Sequence, residues 1–159
     1  MTRPPADKKK KSLRRGTKPQ QQPREVFSEV LSSNPNHVEP VVARAMTALR
    51  RLVSMDGHRE AIELALREAL ANAILHGNES RPRKRVALNC YQRKDKSIVM
   101  VVRDEGTGFD PAAVPDPIAP ENLQRETGRG IFLIRRFMDE VDFAKGGCEI
   151  RMVKKVPSR

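Results

Sequence analysis

Three stretches of the chain hold side chains whose types and spacing can do chemistry. In Glu68-x-x-x-Asn72-x-x-x-His76 a carboxylate, an amide and an imidazole fall at i, i+4 and i+8, one polar row along a helix. Glu68 can act as general base on a nucleophile aimed at a phosphate. Asn72 offers a hard oxygen of the kind Mg2+ takes together with phosphates and waters. His76 reads either as a ligand-side residue or as a structural residue capping the helix. In Asp104-Glu105-Gly106-Thr107-Gly108-Phe109, Asp104 can accept a hydrogen bond from an exocyclic amine. Gly106 and Gly108 let a flat ring approach the backbone. Thr127-Gly128-Arg129-Gly130 opens a helix, where free amides bind phosphate. Each stretch alone is a weak signal, a solvated pair, a turn and a connector. Together they converge on one ligand with a ring at one end and phosphates at the other.

These residues need elements to position them. The helix bearing the polar row runs from about His58 to His76, with Ala65, Leu66, Ala69, Leu70, Ala73 and Ile74 forming its apolar face. Its Ala and Leu content makes it stiff, and Gly77 ends it. Upstream, residues 25–32 suggest a strand, Asn34-Pro35-Asn36 breaks it, and Val38 to Ser54 carries a helical stripe. Downstream, Arg85 to Gln92 and Ser97 to Arg103 read as a hairpin turning at Arg93–Lys96. The near-continuous apolar run Ile98–Val102 marks a central strand, which delivers Asp104 at its end. Residues 104–127 have little pattern and include Pro111, Pro115, Pro117 and Pro120; a loop this long in a compact domain is usually functional, often a lid. Gly128 to Asp139 is a helix, and Glu140–Ala144 and Cys148–Val153 are strands around a Lys145-Gly146-Gly147 turn. The order is not alternating βαβ. It fits an α+β, two-layer α/β sandwich with helices packed on one face of a mixed, mainly antiparallel sheet.

The net charge of +11 at first suggests a nucleic-acid binder, but its distribution weakens that reading. Residues 1–24 hold nine basic residues and one acid, so this stretch supplies +8 and the remaining 135 residues only +3. The stretch has almost no apolar content and reads as a disordered basic tail, able to touch acidic partners or nucleic acid weakly. Only Tyr91 and five phenylalanines are available for base stacking, without basic–aromatic interleaving. No run of about 18 apolar residues occurs, so no membrane helix is expected. No signal-peptide core appears at the N-terminus. Cys90 and Cys148 lack metal-ligand spacing and read as buried free thiols in strands. A reducing, cytoplasmic setting is the expectation.

Taken in order, the three stretches resemble the three nucleotide-site boxes of the GHKL ATPase superfamily, which includes gyrase B and histidine kinases. From about 25 to 155 the chain is similar, more closely, to the single-domain anti-sigma factor serine-protein kinases. The resemblance is carried by Glu68-Ala-Leu-Ala-Asn72-Ala-Ile-Leu-His76-Gly77, by Asp104-Glu-Gly106-Thr-Gly108-Phe109, and by Gly128-Arg-Gly130-Ile-Phe-Leu-Ile134 with Phe137-Met138-Asp139-Glu140-Val141.

The resemblance implies a Bergerat-type fold over residues 25–159 that binds ATP and Mg2+. It implies that Asn72 ligates the metal and that Glu68 activates an acceptor serine. Asp104 would read the adenine amino group. Gly106 and Gly108 would form the base-side turn, and Thr127, Gly128, Arg129 and Gly130 the phosphate side. It further implies a small STAS-like anti-anti-sigma protein as substrate, a sigma factor as the sequestered partner, and a homodimer. Three other readings compete. An autophosphorylating histidine kinase would carry its phosphoacceptor on an upstream helical domain, and His37 and His58 lie in turn-like contexts. A gyrase-like motor needs a second domain to turn hydrolysis into motion. An ATP-binding protein that only sequesters a partner, without significant kinase activity, is the closest rival.

Overall fold

The computed structural model describes residues 22–52, 54–113 and 129–157. The expected disorder of the tail at residues 1–21, most of the expected lid, and Thr127 and Gly128 therefore lie outside the described residues. Strand β1 (Arg24–Ser32) pairs with β2 (Arg85–Gln92), which turns into β3 (Ile98–Asp104). Strands β4 (Glu140–Ala144) and β5 (Glu149–Lys154) complete a five-stranded sheet in the order β1-β2-β3-β5-β4. β3 is the middle strand, as its apolar run predicts. All four pairings are antiparallel, so among the described residues the sheet holds no parallel pair, where a mixed sheet was expected.

Side chains alternate across the pleat, so register decides which ones meet on a face. Leu88 lies opposite Val102, which lies opposite Ile150; Cys90 lies opposite Met100, which lies opposite Met152. These rows form the helix-facing side of the sheet and are almost fully buried. Helix α1 (Val38–Arg50) covers them with Val41, Val42, Ala45, Met46 and Leu49, and stops four residues earlier than the stripe to Ser54 suggested. Helix α2 (Arg59–Asn72) adds Ile62, Ala65, Leu66, Ala69 and Leu70, and helix α3 (Arg129–Phe137) adds Ile134. The result is one apolar cluster between a helical layer and a sheet, the two-layer α+β sandwich expected.

α2 does not end as a plain α-helix. Ala73–Gly77 forms a wider π turn, and the Asn78 amide donates to the Ala73 carbonyl five residues back at 2.8 Å. Such turns are rare and occur mostly as single turns within α-helices. Asn78, not His76, supplies the closing bond, which corrects the expectation of a capping histidine; His76 is exposed. The Asn78 side chain is fully buried and joins three strand ends. Its Nδ2 donates to Ser33 Oγ (2.6 Å) and to the Arg85 carbonyl (2.8 Å), and its Oδ1 accepts from the Glu105 amide (2.9 Å).

Candidate nucleotide site

α2 separates its polar residues by partner. On its outer side Arg67 bonds Glu39 of α1 and Glu63 one turn back, and Arg59 faces Glu63. On the side toward α3 stand Glu68 and Asn72, both half-buried. Among the described residues neither side chain has a hydrogen-bond or ion-pair partner. A carboxylate and an amide side by side on a cleft wall without protein partners are free to bind a ligand. Gly130, at the start of α3, brings the two helices together here. A Cβ at Gly130 would lie 2.7 Å from Glu68 Oε2 and 3.1 Å from Asn72 Nδ2. A glycine at this point lets Glu68 and Asn72 keep these side-chain positions against α3.

The opposite wall is the end of β3. Asp104 accepts from the Gly106 amide at 2.7 Å, which fixes the carboxyl orientation and leaves its other oxygen to act as acceptor. Burial pushes the Asp104 carboxyl above the usual aspartate range, against the opposing pull of the Gly106 amide and of Lys84. The π turn abuts it: a Cβ at Gly77 would stand 2.5 Å from the Asp104 carboxyl carbon, and one at Gly106 would overlap the Gly77 carbonyl. Gly108, with φ of 78°, lies against the Gly146 carbonyl.

Between these walls is a cleft of about 730 Å3, within the usual range for small-molecule sites. Glu68, Asn72, Asp104, Gly108, Arg129 and Gly130 all line it. Residues more than sixty positions apart, from α2, β3 and α3, thus share one cavity. Gly106 stands behind the wall, packed on Gly77 and Asp104. Thr127 and Gly128 lie outside the described residues.

Three features of the cleft were not expected from sequence. Cys148 precedes β5 instead of lying within it, and it is part-exposed and lines the cleft, which corrects the reading of a buried strand thiol. Its Sγ donates to the Gly106 carbonyl at 3.2 Å. Burial, with the Asp104 charge, raises its pKa. Cys90 is buried as expected, and desolvation pushes its thiol up to about 12. Phe109 meets Phe143 edge-on at 5.4 Å between ring centroids, and the Arg135 guanidinium sits 5.9 Å from the Phe143 ring. The two rings give the cleft an apolar end beside Gly108. None of these had a local signal, because each depends on the β4–β5 turn folding back over the end of β3.

The donor set suits a nucleotide with its metal. One unpartnered amide oxygen matches a cation that keeps mostly water and phosphate ligands, and the Asp104 carboxylate on the facing wall has one oxygen that the Gly106 amide does not engage. Among the described residues no cluster of three His, Cys, Asp or Glu side chains could hold a metal by itself.

An antiparallel sheet under three helices, with an unpaired Glu–Asn helix facing an Asp-bearing strand end, is the architecture of ATP-binding domains of one class. The chain belongs to the histidine kinase-like ATPase domain family, whose profile matches residues 31–154. It is 33% identical to the serine-protein kinase RsbW of Staphylococcus epidermidis over 101 residues, which is 59% of this chain and 64% of that protein. It is likewise 33% identical to the anti-sigma F factor of Priestia megaterium over 114 residues, 70% of this chain and 75% of that protein. A serine-protein kinase RsbW of Staphylococcus aureus is 31% identical over 104 residues, 61% of this chain and 65% of that protein. The chain thus spans a little under two thirds of the RsbW relatives it matches. No described helix is long and apolar enough to cross a membrane.

Proposed function

We propose that this chain is an ATP-dependent serine-protein kinase and anti-sigma factor of the cytoplasm. It phosphorylates a serine on a small STAS-like anti-anti-sigma protein and sequesters a sigma factor when that protein cannot bind. Residues 25–159 form the kinase domain, which works as a homodimer, and residues 1–24 are a basic appendage. The names of the relatives support the reading. The observation that carries it is the pair Glu68 and Asn72, unpartnered beside Gly130 on the wall of a cleft whose far side holds Asp104.

Bound ATP with Mg2+ supplies the transferable phosphoryl group and neutralises charge as the group leaves. The chain's residues do the rest. Asp104 accepts from the adenine amino group through the oxygen not engaged by Gly106. Gly106 and Gly108 let the β3 exit pack on Gly77 and Gly146, and of the two Gly108 would border the base. Asn72 offers its amide oxygen to the metal. The N-terminus of α3, with Arg129 and Gly130, would face the phosphates with a cation and backbone amides, and the resemblance adds Thr127 and Gly128 to that side. Glu68 would accept the proton of the incoming serine hydroxyl as that oxygen bonds to the γ-phosphorus and the bond from phosphorus to the leaving ADP breaks.

Incubation with γ-labelled ATP and a STAS-like partner should move label to a partner serine. Glu68→Ala should abolish transfer and leave ATP affinity within about threefold, since a general base contributes about 10²–10⁴ in rate and little to ground-state binding. Tight partner binding with no label moved by the wild-type protein would replace the kinase with a sequestering ATP-binding protein.

A further inference from the structure

The buried amide of Asn78 has no part in the chemistry above, yet every polar atom of it is used. Its Oδ1 holds the Glu105 amide at 2.9 Å, and that amide belongs to the peptide leaving Asp104. Its Nδ2 ties the same point to Ser33 beyond β1 and to Arg85 at the start of β2. Its own amide closes the π turn on Ala73, and that turn brings Gly77 against the Asp104 carboxyl. Two further bonds make the region stiff: Arg85 N–H donates to Glu105 Oε2 at 2.7 Å, and Gly106 N–H to Asp104 Oδ1 at 2.7 Å. One side chain therefore spaces the wall that carries Asp104 from the helix end that faces it. Fully satisfied buried networks fix one geometry, and partly satisfied ones lose it.

We propose that Asn78 is a positioning residue for base recognition: it sets the Asp104 carboxylate at the distance that accepts an exocyclic amine. The proposal rests on reading the cleft as an ATP site. A residue serving stability alone would lower the melting temperature without changing which base the folded protein prefers. A positioning residue changes the preference itself. Losing the Oδ1 acceptor frees the Asp104–Glu105 peptide to shift by a fraction of an ångström, and the amine then competes less well with a base that lacks it.

The test uses the full chain and titrates ATP against ITP, which bears a carbonyl oxygen in place of the amine, well below the melting temperature. Asn78→Ala should reduce the ATP-over-ITP affinity ratio about tenfold, the worth of one hydrogen bond to a charged group. Val42→Ala, a core truncation in α1 remote from the cleft, should lower the melting temperature and leave the ratio within about twofold. Asn78→Ser, a smaller truncation that shortens the same arm, answers the question if the alanine variant is recovered unfolded. A ratio unchanged in the Asn78 variants, or lowered equally by Val42→Ala, overturns the proposal. If the wild-type protein binds ATP and ITP alike, or neither, the reading of the cleft fails instead.

Discussion

Gly130→Ala should separate folding from phosphotransfer. The new methyl group would lie 2.7 Å from Glu68 Oε2, 3.1 Å from Asn72 Nδ2 and 3.4 Å from Asn72 Oδ1. All three atoms are the ends of side chains, so the clash is relieved by their rotation and not by moving α2 or α3. The Glu68 carboxylate must retreat by about 0.7 Å to reach an ordinary contact. The backbone gains from the change, because alanine is favoured over glycine in helices by up to about 1 kcal/mol. Stability should therefore hold or rise slightly. Catalysis should not: a displacement approaching 1 Å of a catalytic group costs about 10²-fold, or roughly 2.7 kcal/mol of barrier. Urea unfolding reads the first quantity, single-turnover transfer from labelled ATP to the partner serine reads the second, and ATP titration reads ground-state binding. Transfer within about threefold of wild type, with the protein folded, would refute the placement of Glu68 beside the reacting atoms. Loss of stability by more than about 2 kcal/mol would show instead that the α2–α3 seam cannot yield.

Asn72→Ala should weaken nucleotide binding in Mg2+ and change it little in EDTA, and equal affinities in the two conditions would remove Asn72 from the metal site. Asp104→Asn should stabilise the fold by an amount that depends on pH. Burial raises the folded-state pKa of Asp104 above 3.8, so the native state favours the protonated acid and is weakened as pH rises through the raised value. The asparagine variant escapes that cost, so its advantage in urea unfolding should be present at pH 7 and gone below about pH 3.8; a gain independent of pH would contradict the burial argument. A thiol reagent should modify Cys148 and spare Cys90, slowly near neutral pH because both thiols are held above their ordinary values, and saturating ATP should protect Cys148. Equal labelling of both cysteines, or no protection, would misplace the cleft.

Much of the fold is legible where the pattern is local. The run Ile98–Val102 names the middle strand because a strand with neighbours on both sides tolerates apolar residues at nearly every position. The α1 and α2 stripes were readable because helical period alone decides which face is buried. The three site stretches were legible for a different reason: each joins unusual residue types at fixed spacing, and the structure brings to one cleft those parts of them that it describes. What stayed hidden was every feature made by distant segments. Nothing around Asn78 says that Ser33, Arg85 and Glu105 will converge on it, forty-five, seven and twenty-seven residues away. Nor does the sequence near Cys148 show that the β4–β5 turn will lay the thiol beside Gly106.

The π turn changes the end of the polar row and places Asn78. Helical spacing places Glu68, Asn72 and His76 in a single line, and the first two do share the face toward α3. Asn72 is the last residue of α2, and from Ala73 onward the wider turn advances each side chain by a smaller angle. His76 is exposed and lines the edge of the same cleft, while the extra residue lets the Asn78 amide reach Ala73. A regular α-helix through Gly77 would keep His76 in register with Asn72 but would carry Asn78 round the axis, away from the three strand ends it joins. The irregular turn thus places the buried Asn78 amide between the end of α2 and the strand end that carries Asp104.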